Sequence, residues 1–181
     1  VAQAYIDGIA RLLTNCGDAS KLASVASFFL SRVDAVVDEQ LSAMSEPEAA
    51  SLLGKVDIAN RKVVYKRFKE LFHDGPFLEL QAEGATRQRL LWASTGTKNP
   101  NYPDLIYVDT LIGPHTVNTM PPQTLQAFAD HGTPARTVDQ GMEQASADLQ
   151  ALAAAGVSRD QVTEELEADG VKKFIDSFEQ L

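Results

Sequence analysis

Two side chains that can hold a phosphate group lie close together near the start of the chain. Ser27 and Arg32 both belong to the stretch Ser24–Asp34, which reads SVASFFLSRVD. The small and apolar residues up to Leu30 predict a short strand buried on both faces, and the polar residues after it predict a turn. A hydroxyl and a guanidinium at the carboxyl end of such a strand are suited to binding phosphate. A second interpretation stays open, in which Arg32 pairs with a neighbouring carboxylate.

Two more predicted strands end in polar residues. The run Arg89–Thr95 predicts a second buried strand, and a polar loop with many turn residues, Gly96–Pro103, follows it. Ser94 and Lys98 lie at this strand end. The shorter run His115–Met120 predicts a third strand. Because parallel strands place their carboxyl ends at one edge of a sheet, we expect Ser94 and Lys98 at the same edge as the first pair.

Helical patterns separate these strands, so the sequence predicts an α/β fold with a parallel sheet. Three strands are few for an independent sheet, but they suit the last three strand–helix units of a (β/α)8 TIM-type barrel. Helices are predicted for the rest of the chain, the last one from about Val171 to Leu181. No repeat or low-complexity linker occurs, so residues 1–181 are expected to be part of one domain. The chain opens in a helical pattern without an N-cap, from which we expect a C-terminal part of a longer protein.

Composition narrows the class of partner. The net charge is −9 and the pI about 4.7, which argues against nucleic acid and against an anionic membrane surface. The one cysteine, Cys16, allows no disulfide within the chain, which fits the reducing cytoplasm. No apolar run approaches the roughly 18 residues that a membrane span needs. The sequence therefore predicts a cytoplasmic protein whose anionic ligands are bound by individually placed donors.

Several charged side chains are predicted to be solvated rather than functional. Asp34 and Asp38 lie off the apolar stripe of the helix predicted after the first strand. Arg61 and Lys62 belong to a basic cluster around the apolar stripe of a later helix. Because no aromatic residues interleave on its polar face, this cluster is predicted to be a salt-bridged surface and not a nucleic-acid site.

Neither a metal site nor a bound nucleotide is indicated. The histidines His73, His115 and His131 are not spaced with other ligands as a metal site would require. No glycine-rich phosphate fingerprint occurs. No lysine lies inside an apolar strand, where burial would favour a Schiff-base nucleophile. Lys98 comes closest, but its polar loop makes it better suited to donating hydrogen bonds to phosphate.

Four blocks of the sequence together resemble transaldolase in its longer bacterial form, which also occurs fused to phosphoglucose isomerase. The blocks are SVASFFLSRVD at 24–34, LWASTGTKNP at 91–100, YVDTLIGPHTVNTMP at 107–121 and TLQAFADHG at 124–132. Their common order along the chain is more specific than any block alone. The resemblance extends over essentially all of residues 1–181 and identifies the chain as similar to the C-terminal half of this family.

The resemblance implies a (β/α)8 barrel to which this chain contributes the sixth, seventh and eighth strands and the C-terminal helices. It implies transfer of a dihydroxyacetone unit between sugar phosphates in the pentose phosphate pathway. Sedoheptulose 7-phosphate with glyceraldehyde 3-phosphate is converted to erythrose 4-phosphate with fructose 6-phosphate, through a lysine Schiff base and without metal or organic cofactor. The family's lysine and its acid–base carboxylates lie on earlier strands. The chain alone, which has no catalytic residue of the family, is therefore expected to be inactive without the N-terminal half of the barrel.

The resemblance also suggests roles for individual residues. Ser27 and Arg32 match the serine and arginine that bind substrate phosphate in the family. Shorter members have glycine where this chain has Ser31, so the turn is expected to differ in shape. Shorter members also place an arginine soon after the Ala-Ser pair of the second block, where this chain has Lys98. Phosphate binding is therefore assigned by resemblance to Ser27, Arg32 and Lys98, and active-site lining to Ser94.

Two alternatives to a transaldolase remain. The chain would also fit a non-catalytic half-barrel that needs a partner piece, because an open sheet edge is expected. A related Schiff-base aldolase, which cleaves sugar phosphates instead of transferring a unit between them, would share the same barrel.

Overall fold

The computed structural model describes residues 1–180, in which helices pack on a small parallel sheet. The predicted alternation is observed, with one helix before the first strand, helices between the strands, and helices after the last one. The strands are β1 (Ser24–Phe29), β2 (Gln88–Ala93) and β3 (Thr116–Thr119). The helices are α1 (Ala2–Thr14), α2 (Arg32–Ser42), α3 (Pro47–Ala50), α4 (Val56–Phe72), α5 (Phe77–Ala82), α6 (Ile106–Asp109), α7 (Pro122–His131), α8 (Met142–Ala154) and α9 (Arg159–Glu179).

β2 lies in the middle of the sheet, parallel to β1 on one side and to β3 on the other. In the register of the sheet, Ser27 lies opposite Leu91, and Leu91 lies opposite Val117. The Leu30 amide donates to the Ala93 carbonyl oxygen at 3.0 Å, which extends the β1–β2 pairing by one residue. The carboxyl ends of the strands therefore meet at one edge, as the sequence predicts.

The two faces of β1 have different surroundings. Ala26, its β2 partner Leu90, and Trp92, two residues further along β2, lie on a face that helices cover, and all three are buried. Val25, Ser27 and Phe29 alternate onto the other face, which we call the open face. The Phe29 side chain is 52% exposed there. The prediction that this strand is buried on both faces is therefore wrong within residues 1–180, since alternate side chains lie on a face without a covering layer.

Helix α4 connects the sheet to the outer helices because it contributes to two clusters of buried apolar side chains. Tyr65, Phe68 and Phe72 pack in the cluster on the covered face of the sheet. Val56 and Ala59, nearer its start, pack in a second cluster with residues of α2, α8 and α9. The first turns of α4 are thereby fixed close to the end of β1, which matters for the site described below.

The C-terminal helix is longer than predicted. The sequence pattern begins the last helix at about Val171, whereas α9 runs without a break from Arg159 and includes Gly170. Ser158 is its N-cap, and the Ser158 side chain accepts a hydrogen bond from the Gln161 amide. The predicted end of this helix at Leu181 lies outside the described residues. Over residues 1–180, no helix combines the length and the apolar character needed to cross a membrane.

Candidate functional site

Ser27 and Arg32 lie on the same side of the sheet. Ser27 is within β1, and its side chain is exposed on the open face. Phe29, two residues further, shares this face. Arg32 is the first residue of α2, and its guanidinium carbon lies 5.2 Å from the centre of the Phe29 ring. The exposed phenylalanine ring thus supports the guanidinium above the face on which the Ser27 hydroxyl lies.

The Arg32 guanidinium has no acidic partner in the part of the chain that the structure describes. The side chain is exposed, and its contact with the Phe29 ring leaves the donor edge of the guanidinium available. Asp34, the nearest carboxylate along the chain, is buried and binds other groups. The interpretation in which Arg32 pairs with a neighbouring carboxylate is therefore not observed in residues 1–180.

The two candidate residues after β2, Ser94 and Lys98, are linked less closely to the end of β1 than Arg32 is. Ser94 directly follows the strand, is exposed and has a φ of 57°. It lies beside the end of β1, because Leu30 is bonded to the residue before it. Lys98 lies four residues further along, in an exposed loop, and forms no salt bridge within the described chain. The structure therefore brings Ser27, Arg32 and the Ser94 backbone to one edge and shows no contact between Lys98 and Arg32.

The turn that joins β1 to α2, Leu30–Ser31, contains a residue in an unfavourable backbone conformation. Ser31 has a φ of 66°, in the left-handed region that costs a non-glycine residue about 1–2 kcal/mol. The Ser31 amide donates to Oδ2 of Asp57 at 2.9 Å. Asp57 lies in the first turn of α4 and is completely buried. A buried carboxylate therefore holds the amide of the strained residue next to Arg32.

Arg61, one helical turn after Asp57, binds the other side of this turn. Its Nη2 atom donates to the carbonyl oxygen of Phe29 at 2.9 Å. The same nitrogen lies 2.7 Å from Oδ1 of Asp57, in an ion pair rather than an aligned hydrogen bond. Helix α4 thus binds the backbone on both sides of Leu30, at the carbonyl before it and at the Ser31 amide after it.

Asp34 links α2 to the same buried polar group. Its Oδ1 atom accepts a hydrogen bond from the Asp57 amide at 2.7 Å, and its Oδ2 atom accepts one from the Tyr107 hydroxyl at 2.6 Å. Asp34 is 2% exposed and Arg61 is 6% exposed. The prediction that these residues belong to solvated helix faces is therefore wrong. The sequence does show charges one helical turn apart, but it does not show that the charged sides of α2 and α4 face each other.

Burial dominates the electrostatics of this polar group. It raises the pKa of Asp57 to about 7, although the charge of Arg61 favours the ionised form. Burial also raises the pKa of Asp34. The pKa of Tyr107 is raised by burial and by the adjacent Asp34 carboxylate, so the phenol remains a donor. An ionised Asp57 therefore depends on its contacts with Arg61 and with the Ser31 amide.

Asp38, one turn after Asp34, attaches the loop that follows β2. Its Oδ2 atom accepts from the Tyr102 hydroxyl at 2.7 Å, and its Oδ1 atom accepts from the Gly54 amide at 3.0 Å. Gly54 has a φ of 69°, and a Cβ atom there would lie 2.7 Å from the Tyr102 ring. Only glycine fits this position without a shift. Because Tyr102 follows Lys98 in the same loop, the loop is tied to the helix that Arg32 begins.

Lys62 resembles a candidate nucleophile but has a structural role. It is partly buried, and burial lowers its pKa. Its Nζ atom, however, donates to the carbonyl oxygens of Thr137 at 2.7 Å and Gln140 at 2.8 Å. It therefore connects α4 to the segment before α8. Within residues 1–180, no group of three or more His, Cys, Asp or Glu side chains is placed to hold a metal ion.

Comparison with known proteins gives a consistent result over the whole chain. The family model described as Transaldolase/Fructose-6-phosphate aldolase matches residues 2–181. The transaldolase of Frankia alni is 49% identical over 182 residues, which cover 100% of this chain and 49% of that protein. The transaldolase of Neisseria meningitidis serogroup C is 46% identical over 178 residues, covering 98% and 49%. That of Thiobacillus denitrificans is 44% identical over 181 residues, covering 100% and 50%. The chain spans about half the length of the curated relatives it matches.

Proposed function

Since the chain belongs to the transaldolase/fructose-6-phosphate aldolase family, we propose that it forms the C-terminal part of a transaldolase. In this proposal residues 1–181 belong to a single (β/α)8 barrel and supply its last three strand–helix units. The parallel order β1–β2–β3 and the open face of β1 support it. The other half of the barrel would cover the open face, which would then line the barrel interior, and the carboxyl ends of the strands would lie at the face where substrates of this fold bind.

The proposed reaction transfers a dihydroxyacetone unit between sugar phosphates of the pentose phosphate pathway, and the proposal includes a cytoplasmic location. A lysine amine on a strand of the other half attacks the ketone carbon of the donor, and water leaves as the Schiff base forms. Cleavage of the adjacent carbon–carbon bond releases an aldose phosphate. The carbon nucleophile that remains attacks the aldehyde of the acceptor, and water then releases the product. No metal or organic cofactor takes part, and residues 1–181 alone are expected to be inactive.

The observation that supports the phosphate assignment is that Arg32, which has no described acidic partner, lies over Phe29, and Phe29 shares the open face of β1 with Ser27. A guanidinium can donate two parallel hydrogen bonds to phosphate oxygens, and a serine hydroxyl can donate a third. In the proposed site Arg32 and Ser27 hold the phosphate of the donor. Lys98 adds a second positive charge from the loop after β2, and Ser94 lines the site at the end of β2. This arrangement lets a chain with a net charge of −9 bind an anion locally.

An assay of the full-length protein tests this function. With fructose 6-phosphate as donor and erythrose 4-phosphate as acceptor, it should form sedoheptulose 7-phosphate and glyceraldehyde 3-phosphate. Borohydride added with the donor should trap a covalent adduct on a lysine outside residues 1–181. Residues 1–181 alone should show neither result.

The family description includes a second activity, the cleavage of fructose 6-phosphate without transfer. The two are separated by omitting the acceptor. A transaldolase should then release at most about one equivalent of glyceraldehyde 3-phosphate per active site, since its covalent intermediate waits for an aldehyde. Continuous release of dihydroxyacetone at the full rate would instead assign the protein as an aldolase.

A further inference from the structure

Asp57 and Arg61 take no part in the chemistry proposed above, yet both bind the backbone beside Arg32. We propose that these two residues, which we call the α4 clamp, are positioning residues for substrate phosphate. They hold the turn Leu30–Ser31 in the conformation that places Arg32 beside Phe29 on the open face. This inference rests on the proposed function, because it takes Arg32 as the phosphate ligand.

The first part of the clamp acts on the strained residue. Ser31 has a positive φ, and its hydroxyl is buried without a hydrogen-bond partner within residues 1–180. The Ser31 side chain therefore contributes no hydrogen bond that would offset the backbone cost. The described contact that favours this conformation is the bond from the Ser31 amide to the Asp57 carboxylate. Above about pH 7, where the Asp57 carboxyl is ionised, its charge makes this bond stronger than one between neutral groups.

The second part of the clamp fixes the strand end from which the turn starts. Arg61 donates to the Phe29 carbonyl oxygen, and its guanidinium carbon lies 5.3 Å from the centre of the Phe28 ring. Arg61 also neutralises Asp57 at 2.7 Å. Because one guanidinium contacts both the strand end and the carboxylate, the two sides of the turn cannot shift independently.

The clamp is itself held in place from α2 and α6. Asp34 accepts from the Asp57 amide and from the Tyr107 hydroxyl, so the first turn of α4 is bonded to the helix that Arg32 begins. All these groups are buried, where polar contacts are stronger than in water and a missing partner is costly. A buried ion pair is seldom the most stabilising choice for a core. Its position at the base of this turn instead suits a role in orientation.

Orientation matters because an arginine side chain loses much conformational freedom when it binds a ligand. A guanidinium already oriented toward the phosphate avoids part of that loss, so the bound state is reached at lower cost. If the turn relaxes, Arg32 must be ordered again on each binding event. The expected result is weaker binding of phosphorylated substrate, with little change in the bond-forming and bond-breaking steps at the lysine proposed on the other half of the barrel.

The test compares Asp57→Asn and Arg61→Lys with wild type in the full-length protein, using fructose 6-phosphate and unphosphorylated fructose as donors. We expect KM for fructose 6-phosphate to rise about tenfold, as for loss of one charge-assisted hydrogen bond, with kcat changed less than about twofold. The kcat/KM for fructose should stay close to wild type. The preference for the phosphorylated donor should therefore fall about tenfold.

Two sets of controls separate orientation from folding. Arg67→Lys changes an exposed ion pair with Glu70 on the same helix and should leave the preference unchanged. Ser31→Gly should reduce the loss caused by Asp57→Asn, since glycine adopts a positive φ without help from the carboxylate. Ser31→Ala also removes the unpartnered hydroxyl, but it keeps the Cβ atom and should give no such rescue. If Asp57→Asn does not fold, Arg61→Lys in the Ser31→Gly and Ser31→Ala backgrounds gives the same comparison.

Each outcome points to one conclusion. An equal loss of kcat/KM for both donors would mean that the clamp only supports folding, and the inference would be overturned. An unchanged preference in the clamp variants, with a large loss in Arg32→Ala, would reject the clamp and leave the proposed function intact. An unchanged preference in Arg32→Ala would instead reject the phosphate role of Arg32 itself, and the inference with it.

Discussion

The ends of β1 and β2 each carry a cation, and the two cations are held in different ways. Arg32 comes directly after the two-residue turn Leu30–Ser31, in which the Ser31 amide donates to buried Asp57, and buried Arg61 donates to the Phe29 carbonyl oxygen just before the turn. Lys98 lies within a longer exposed loop, which is attached to α2 through the Tyr102 hydroxyl. The first cation is therefore placed by buried contacts next to it, and the second by a contact several residues away.

This difference shows that the geometry of a ligand-binding side chain can depend on buried residues next to it. A short turn with a positive φ needs partners for its backbone, and those partners also fix the direction of the side chain that follows. In the longer loop after β2, the residue with positive φ, Ser94, lies four positions before Lys98, so it does not fix the direction of the lysine side chain. A planar guanidinium benefits from fixed geometry, whereas an ammonium acts as a point charge and tolerates more variation. We therefore expect Arg32 to determine most of the phosphate affinity and Lys98 to add less.

The largest expected effect is that of Arg32→Ala in the full-length protein. Loss of a charged hydrogen-bonding partner should weaken binding of fructose 6-phosphate by about 2–5 kcal/mol, which is at least about thirtyfold in KM. Steady-state kinetics with fructose 6-phosphate measure this change, and Arg67→Ala on the surface of α4 is the control. Unchanged affinity in Arg32→Ala would show that Arg32, at the end of β1, does not bind the substrate phosphate.

The pH dependence of the free energy of unfolding tests the protonation state of Asp57, the buried residue that binds the turn after β1. Asp57 has a pKa of about 7 in the folded protein, against an ordinary value of 3.8. Between pH 4 and 7 the folded state keeps a proton that the unfolded chain has released. The free energy of unfolding should therefore fall as pH rises, by up to about 1.4 kcal/mol per pH unit from this group. Urea unfolding of wild type and Asp57→Asn over this range measures the slope, which should be shallower in the variant. Equal slopes would show that Asp57 does not retain its proton.

Gly54→Ala tests the attachment of the β2 loop. The new Cβ atom would meet the Tyr102 ring at a position with positive φ, so the free energy of unfolding should fall by about 1–3 kcal/mol. Gly8→Ala is the matched control, because a Cβ atom there meets nothing within 4 Å. It lies inside α1 and should raise the free energy of unfolding by about 0.5–1 kcal/mol. Urea unfolding of both variants measures the difference in the free energy of unfolding. If Gly54→Ala left this free energy unchanged, Tyr102 would not be packed against this turn.

The smallest expected effect is that of Lys98→Ala. An exposed ammonium on a flexible side chain should contribute about 0.5–1 kcal/mol to phosphate binding, so KM for fructose 6-phosphate should rise about two- to fivefold. Lys66→Ala, at an exposed position on α4, is the control. If Lys98→Ala matched Arg32→Ala, Lys98 and Arg32 would be equal phosphate ligands, and the contrast between a cation held by adjacent buried contacts and one in an exposed loop would be wrong.

The sequence predicted the local elements of this fold well, because short-range patterns set them. The three strands are observed within one or two residues of their predicted positions. The predicted last helix begins too late, since α9 continues through Gly170 instead of beginning after it. The position of Arg32 just after the first strand and the likeness to transaldolases were also predicted from the residues alone, and comparison with known proteins confirmed that likeness.

The contacts that fix the site could not be predicted in this way. Asp34 and Arg61 are predicted on solvated faces because charged residues off an apolar stripe usually are. Whether such residues meet depends on which sides of two helices face each other, and that is decided by packing between residues distant along the chain. The sequence by itself therefore determined the fold class, the family and the presence of a serine and an arginine at one strand end. Only the tertiary structure decided that one face of β1 stays open, and that buried charges on α4 hold the turn beside Arg32.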